Sequence, residues 1–428
     1  MEVLFTNLYI KLFSGSEVNI LDISKVLLRK GFQITVFTFQ KGDPLLTHFD
    51  ECGINVTCNI QDIQGKHFDI IWAQHYVVLN IVLLSEVKYD KIIFSSLSPF
   101  ESFEFPPSYC NKLSLVLANS HETRAQLISN GVDSKKIKLF PNSVDLYYYN
   151  QSKPISSIKK IACISNHPPE EVLQLKTLLK EDQTIDFFGI NGDSFQLVTP
   201  ELLLAYDCII TIGKTVQYSM ALNIPVYCYD HFGGPGWLTR DNLDLAFEKN
   251  FSGRGFNQKN SEEIYSEIFE NTIHPDHLSL LHNFCIDHCN LEKNVSEVLN
   301  EAKPVSKITS DEIKVDSLLF KRVFDQKIAY EKHAEELEKL KSLLENTNSE
   351  NRNIILQLQQ EINLYRENNE ALQSKNTRLN EVFNRIQNEI TALYSEVSIL
   401  QNQLHQIEQS KFWKLRNFYW KYLKRKKG

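Results

Sequence analysis

The segment Asp207–Leu238, DCIITIGKTVQYSMALNIPVYCYDHFGGPGWL, restricts the architecture more than any other stretch of the chain. An apolar, β-branched run stops at Gly213, KTVQYSMAL follows, and a second run, PVYCY, stops in a glycine-rich loop from Asp230 to Gly236. The apolar runs are too short for helices and the Ala/Leu/Met segment between them is a helix former. The order is therefore strand, turn, short helix, strand, loop. Two parallel strands joined this way end side by side and leave a crevice beyond their carboxyl ends, where open α/β sheets hold ligands. A helix that starts next to Gly213 aims unpaired N–H groups into that crevice, a setting for phosphate. The plain alternative is one more βαβ unit with a tight turn.

The same alternation runs through the first 300 residues. VLFTNLY is a strand, FSGSE a small-residue loop, Val18–Arg29 a helix and QITVFTF a strand. Ser14, Gly15 and Ser16 let a ligand approach the backbone closely. This loop lacks the three spaced glycines of a dinucleotide fingerprint, and no acid follows the second strand at Phe39. FDIIWAQ is a strand that ends at His75, inside the expected crevice. An imidazole there holds a sugar hydroxyl, acts as a base, or makes only a structural hydrogen bond. SLVLANS is followed by a helix, HETRAQLISN, capped by Ser120, with Arg124 in its first turn as an anion contact or a surface ion pair. KPISSIKK is a polar link, after which the pattern restarts: IACIS, a helix over 170–179, TIDFFG, a helix over 199–206, the Asp207–Leu238 unit, a helix over 241–249, the loop FSGRGF, and a helix capped by Ser261. The expected fold class is α/β, with two Rossmann-like domains, 1–150 and 155–300, facing a cleft. A linker over 301–334 leads to a long α-helical coiled coil.

Composition excludes some functions. The formal net charge is -7, yet residues 410–428 carry eight Lys or Arg and no acid, so the rest of the chain sums to -7 - 8 = -15. An acidic body argues against nucleic acid as a partner. The eight cysteines are scattered through apolar runs, as buried thiols in a reducing compartment would be. His282, Cys285, His288 and Cys289 have a helical spacing that favours packing over a metal site. MEVLFTNLYIKLF has no basic start and no long apolar run, so no signal peptide is expected, and no stretch reaches the ~18 apolar residues a membrane span needs. The chain reads as cytoplasmic.

From Glu335 to Lys427 there is neither Pro nor Gly. Over 335–409 apolar residues recur at 3-4 spacing, with a stutter between Leu358 and Ile362. From Ile362 to Ile407, twelve of fourteen seam positions are apolar, which predicts a coiled coil and a homodimer. Asn369 and Asn376 in the seam set its register. The tail, 410–428, interleaves aromatics with eight cations and reads as a peripheral segment for an anionic membrane surface; nucleic-acid binding is the competing use.

Three stretches carry a resemblance: FSGSE, LANSHETRAQLISNGVDSKKIKLFPNSVD, and GKTVQYSMALNIPVYCYD. Residues 1 to about 300 resemble GT-B glycosyltransferases of the large bacterial group 1, family 4-like set. Asn119, Ser120, Thr123, Arg124, Asn142, Val144 and Asp145 match its most specific motif, with Ser143 in place of the usual glycine. The resemblance implies a C-terminal domain that holds a nucleotide-sugar and an N-terminal domain that holds the acceptor. The tail resembles the ends of bacterial polysaccharide transferases that use lipid-linked acceptors at the cytoplasmic membrane face.

The departures are large. Tyr218 and Ile210 stand where the family has glutamates, and Asn223 where it has glycine. After IACIS only Asn166 and His167 replace the usual Arg and Lys, and the family's strand-end histidine falls near Ser95 or Ser96. The residues themselves offer a substitute. Lys214 meets a diphosphate at the helix N-terminus, and Arg254 adds a second cation. Thr215 and Gln217 contact phosphate or sugar hydroxyls, with Gly213, Tyr218, Gly233 and Gly234 around them. No metal and no further cofactor is needed for this route. The expected function is transfer of a sugar from a nucleotide-sugar to a lipid-linked or polysaccharide acceptor. The alternative is a catalytically degenerate scaffold or regulatory subunit of a polysaccharide assembly, with a sugar epimerase a distant third.

Overall fold

The computed structural model describes residues 1–154, 157–270, 275–313 and 352–409, with 332, 335–337 and 339 between the last two. The chain divides into two compact units, Met1–Leu318 and Leu319–Gly428. The first unit contains two sheets flanked by helices, one all parallel and one parallel except for an antiparallel edge strand, each a Rossmann-like lobe.

The first sheet comprises β1 (Glu2–Ile10), β2 (Gln33–Lys41), β3 (Asn55–Thr57), β4 (His67–Ala73), β5 (Lys88–Ser96), β6 (Leu115–Ala118) and β7 (Ile137–Leu139). Its order is β3-β2-β1-β4-β5-β6-β7, all parallel. Helices α1 (Gly15–Arg29), α2 (Leu45–Glu51), α3 (Tyr76–Leu84), α4 (His121–Ser129) and α5 (Leu146–Tyr149) connect or follow these strands. Central β1 is a nearly continuous apolar run because both its faces are covered. Buried Trp72 packs against Phe5 and Phe140, and its indole N–H donates to Ser95 Oγ at 2.8 Å.

The second sheet comprises β8 (Lys160–Ile164), β9 (Thr184–Phe188), β10 (Cys208–Thr211), β11 (Val226–Asp230) and β12 (Gly233–Trp237), in the order β12-β11-β10-β8-β9. Its helices are α6 (Glu170–Leu173), α7 (Pro200–Leu204), α8 (Lys214–Ala221), α9 (Leu243–Glu248), α10 (Ser261–Phe269) and α11 (Pro275–His288).

Three local expectations are corrected. The glycine-rich loop expected at 230–236 is a hairpin, with β12 antiparallel to β11. A Cβ on Gly234 would lie 2.1 Å from Cys228 O, and one on Gly233 2.6 Å from Asn257 O, so these glycines permit close strand packing. The helix over 170–179 is only one turn, α6, followed by a 3-10 turn. The cap of α10 is Asn260, not Ser261: its Oδ1 accepts Glu263 N, and Glu263 returns a carboxylate oxygen to Asn260 N, both at 2.8 Å.

The end of the second half returns to the first lobe. Leu291, Val295 and Val298 of α12 (Leu291–Glu301) are buried in one core with Ile20, Leu21 and Val26 of α1. Lys138 pairs with Glu297 and Glu301 at 3.1 and 2.5 Å. The expected linker is anchored over its first part: Val305 N donates to Asp90 O and Ile308 N to Tyr89 Oη. The two crossings between lobes run side by side, joined by Val144 N to Cys289 O at 2.7 Å and Leu291 N to Val144 O at 3.0 Å.

Cys285 and Cys289 are buried, and α11 packs on α8, with Cys285 Sγ donating to Gln217 O at 3.4 Å. Among the described residues, no three or more His, Cys, Asp or Glu side chains group to hold a metal ion.

The second unit contains α13 (Arg352–Gln409), 58 residues long. Ile362 is buried, whereas Ile386, Leu393 and Val397 on the same seam are about half-exposed. No described helix is long and apolar enough to cross a membrane. The tail 410–428 lies outside the described residues, as does most of 335–351.

Candidate active site

In the second sheet β8 has β9 on one side and β10 on the other, so the connections leaving β8 and β10 diverge. That is the topological switch point, where an α/β sheet leaves a crevice beyond its carboxyl ends. A cavity of about 330 Å³ occupies it. Its floor is formed by Ser165, Asn166 and His167 after β8, by Thr211 at the end of β10, and by Ile212, Lys214 and Thr215 after it. The first lobe closes it with Phe13, Ser14, Gly15 and Val18.

Glu17 shapes that closing loop. Its carboxylate accepts Lys11 N at 2.9 Å and Ser14 N at 3.3 Å, which fixes the turn before α1. Burial raises its pKa and these hydrogen bonds oppose the rise. Gly15 then stands with no atom within 4 Å of where a Cβ would be. On the facing side Gly213, at φ +61°, turns the chain into α8. The first-turn N–H groups of α8 have no i−4 acceptor, and Lys214 and Thr215 of that turn line the cavity.

Lys214 is not free. Its Nζ lies 2.6 Å from Asp22 Oδ2 of α1, an ion pair by distance whose angle is not that of a directed hydrogen bond. Tyr218 Oη donates to the same oxygen at 2.6 Å, and its ring stacks on Tyr148 at 4.6 Å. Burial first, and the Asp22 charge second, hold the Tyr218 phenol well above its ordinary pKa, so it stays a donor. At the end of β11, buried Asp230 accepts Ser165 Oγ at 3.1 Å and His231 N at 2.8 Å.

The structure thus brings Gly15, Lys214, Thr215 and Tyr218 to one cavity, with Gly213 as the cap of α8. Ser16 is beside it, with Oγ 3.4 Å from Ser14 Oγ. Gln217 is fully buried, and its amide nitrogen, oriented as a donor, reaches Gly213 O and Lys214 O at 2.5 and 3.1 Å. Gly233 and Gly234 belong to β12 and do not line the cavity.

His75 and Arg254 also stand apart from it. His75 caps α3 at the first sheet's own switch point, between β1 and β4. It is buried, accepts Leu8 N on Nδ1 at 3.2 Å and lies 3.9 Å from Glu104. Burial pushes Glu104 up to about 8. Arg254 crosses the cleft elsewhere: it pairs with Glu122 of α4 at 2.6 Å and sits over the rings of Phe100 and Phe232. Asn119, Ser120 and Thr123 serve the turn into α4, with Thr123 Oγ1 donating to Asn119 Oδ1 at 2.7 Å and Ser120 Oγ accepting Thr123 N at 3.0 Å.

Sequence reasoning missed Asp22, whose neighbours in α1 are core residues. It also missed Glu17, although Ser14 and Glu17 have the spacing of an N-terminal capping pair.

No protein-family model matches this sequence, and no curated protein does. Among solved structures, the Anabaena protein Alr3699/HepE in complex with UDP-glucose aligns with a TM-score of 0.51 at 15% identity, over 70% of this chain and 98% of that one. Its complex with UDP gives 0.50 at 15% identity, over 70% and 99%. The likeness establishes a fold: two Rossmann-like lobes in the GT-B-like arrangement.

Proposed function

We propose that this protein is a glycosyltransferase that takes a sugar from a nucleoside diphosphate donor held in the cavity between the lobes. The observation that carries the reading is the N-terminus of α8, with Lys214 and Thr215, opening at the β8/β10 switch point opposite Gly15. HepE, which shares the fold, has been crystallised with UDP-glucose and with UDP. The same ligand class suits this cavity: aligned N–H groups and a cation for a diphosphate, with His167, Asn166 and Asp230 nearby for hydroxyls.

The chemistry follows from where charge develops. As the bond from the anomeric carbon to the phosphate oxygen breaks, the diphosphate gains negative charge while the acceptor hydroxyl attacks that carbon. Fixed N–H dipoles and the Lys214 ammonium favour this state over the bound substrate. Lys214 has to leave Asp22 to reach the diphosphate, so Asp22 competes with the donor. His75 and Arg254, away from the cavity, have no direct part in this step.

The finer assignments rest on sequence. The basic, aromatic tail supports work at the cytoplasmic membrane face on a lipid-linked or glycan acceptor, and the half-exposed seam of α13 supports a homodimer. One observation favours the degenerate-scaffold alternative: the lysine in the cavity wall is already neutralised by Asp22. A thermal-shift panel of UDP, GDP, dTDP and CMP separates the two. Stabilisation by one nucleotide supports the transferase, and loss of sugar transfer in a folded Lys214→Ala variant places Lys214 in the site. No shift with any nucleotide favours the scaffold.

A further inference from the structure

A second cavity, of about 260 Å³, lies beside the first. The two share Val18, Leu197, Val198 and Tyr218 as a common wall, and the Lys214–Asp22 pair spans it, with Lys214 lining the first and Asp22 the second. The chemistry of the second cavity is different. It is lined by the carboxylates of Asp22, Asp145 and Glu201, by Lys25 and Arg29, and by the ring of Tyr147.

Two of these groups, Asp145 and Arg29, engage each other, and Arg29 also reaches Glu292 at 3.4 Å. Asp145 accepts Tyr147 N at 3.0 Å on one oxygen and Arg29 Nη2 at 2.7 Å on the other. Lys25 is the exception: half-buried, it has no hydrogen-bond or ion-pair partner among the described residues. Glu201 accepts Tyr147 Oη at 2.8 Å. Hydrogen bonds from its own N–H, from Tyr147 and from Thr199 hold its carboxyl below the ordinary range, so it is an acceptor at neutral pH. Tyr147 is therefore fixed at its backbone and at its hydroxyl, yet it is 56% exposed at the cavity rim.

Asp145 and Asp22 are paired with Arg29 and Lys214, which leaves Glu201 and Lys25 to meet a ligand, and a carboxylate held in its charged form disfavours a phosphate or a nucleoside diphosphate. An apolar ligand would leave the charged groups unsolvated. An uncharged sugar ring meets every group present: its hydroxyls donate to carboxylates and accept from an ammonium, and its C–H face packs on an aromatic ring. We propose that this cavity binds one uncharged sugar residue of a saccharide acceptor, stacked on Tyr147 and hydrogen-bonded by Glu201 and Lys25. Its assignment to the acceptor rests on the glycosyltransferase reading; the binding of a sugar does not.

The test is saturation-transfer NMR of the full chain with glucose, galactose, N-acetylglucosamine and glucuronate, repeated with the nucleotide panel at saturation. At least one neutral sugar is expected to bind and to remain bound with nucleotide present. Tyr147→Ala and Lys25→Ala are each expected to weaken it about tenfold, the loss of one stacking or hydrogen-bonding group. Absence of neutral-sugar binding, displacement by nucleotide, binding unchanged in both variants, or tighter binding of glucuronate would overturn the proposal. Nucleotide thermal shifts on the same samples report folding of the variants and test the donor reading separately.

Discussion

Replacing Asp22 tests the electrostatics of the interlobe wall. One of its oxygens lies 2.6 Å from both Lys214 Nζ and Tyr218 Oη, and the Asp22 and Lys214 side chains are 17% and 10% exposed. At an effective dielectric of about 20 the gross attraction over that distance is about 6 kcal/mol. Desolvation cancels much of it, and removing one member of a well-buried pair costs about 3–5 kcal/mol. Partial exposure puts Asp22→Asn at the lower end, about 3 kcal/mol, because the amide oxygen still accepts from Tyr218. Asp22→Ala also orphans the phenol and adds about 1 kcal/mol. The double change Asp22→Leu with Lys214→Met removes both charges and is expected to recover most of the loss, to within about 1 kcal/mol of the native protein. Urea unfolding of the four proteins at one pH reads these differences. A change below about 0.5 kcal/mol in Asp22→Asn would show that solvent screens the pair and would refute the reasoning. If Lys214 leaves Asp22 for a diphosphate, as proposed, the same Asn variant should also bind nucleotide more tightly than the native protein.

Other outcomes follow from the same contacts. Glu104, with its pKa raised to about 8 by burial, retains a proton in the folded state that it loses near its ordinary value when unfolded. Stability should therefore fall as pH rises from about 4.5 to about 8, by about 1.4 kcal/mol per unit, and Glu104→Gln should flatten the slope in urea titrations at pH 5.5, 6.5 and 7.5. Gly15→Ala meets empty space at a helix start, so it should leave thermal stability intact and weaken nucleotide binding. Gly234→Ala, whose Cβ would meet Cys228 O, should lose about 2 kcal/mol or more. Leu393→Glu on the half-exposed seam should turn a dimer into a monomer in sedimentation velocity and leave nucleotide binding unchanged.

The alternation of apolar runs and helical segments made the two-lobed α/β fold readable, because each strand's burial on both faces leaves a continuous apolar signature. The turn at Gly213 and the start of α8 were readable for a similar reason: a β-branched run, a glycine and a helix former occupy adjacent positions. Strand β12 was not, because Gly-Gly-Pro-Gly reads as a loop until the carbonyl of Cys228 is seen against Gly234. The return of α12 to the first lobe was also hidden, since Leu291, Val295 and Val298 show only that the helix has an apolar face. At the cavity, local sequence points to Lys214 and Thr215, which line it, but not to Asp22. A carboxylate between Leu21 and Ile23 carries no sign that its partners are 192 and 196 positions away.

The account's central claim is that the first turn of α8 and Lys214 hold the diphosphate of a nucleotide-sugar. A crystal structure of the full chain with the stabilising nucleoside diphosphate tests it most directly. The account predicts phosphate oxygens within hydrogen-bonding distance of the Lys214 and Thr215 N–H groups, with Lys214 Nζ moved from Asp22 to the phosphate. Phosphates bound elsewhere, with Lys214 still on Asp22, would contradict it.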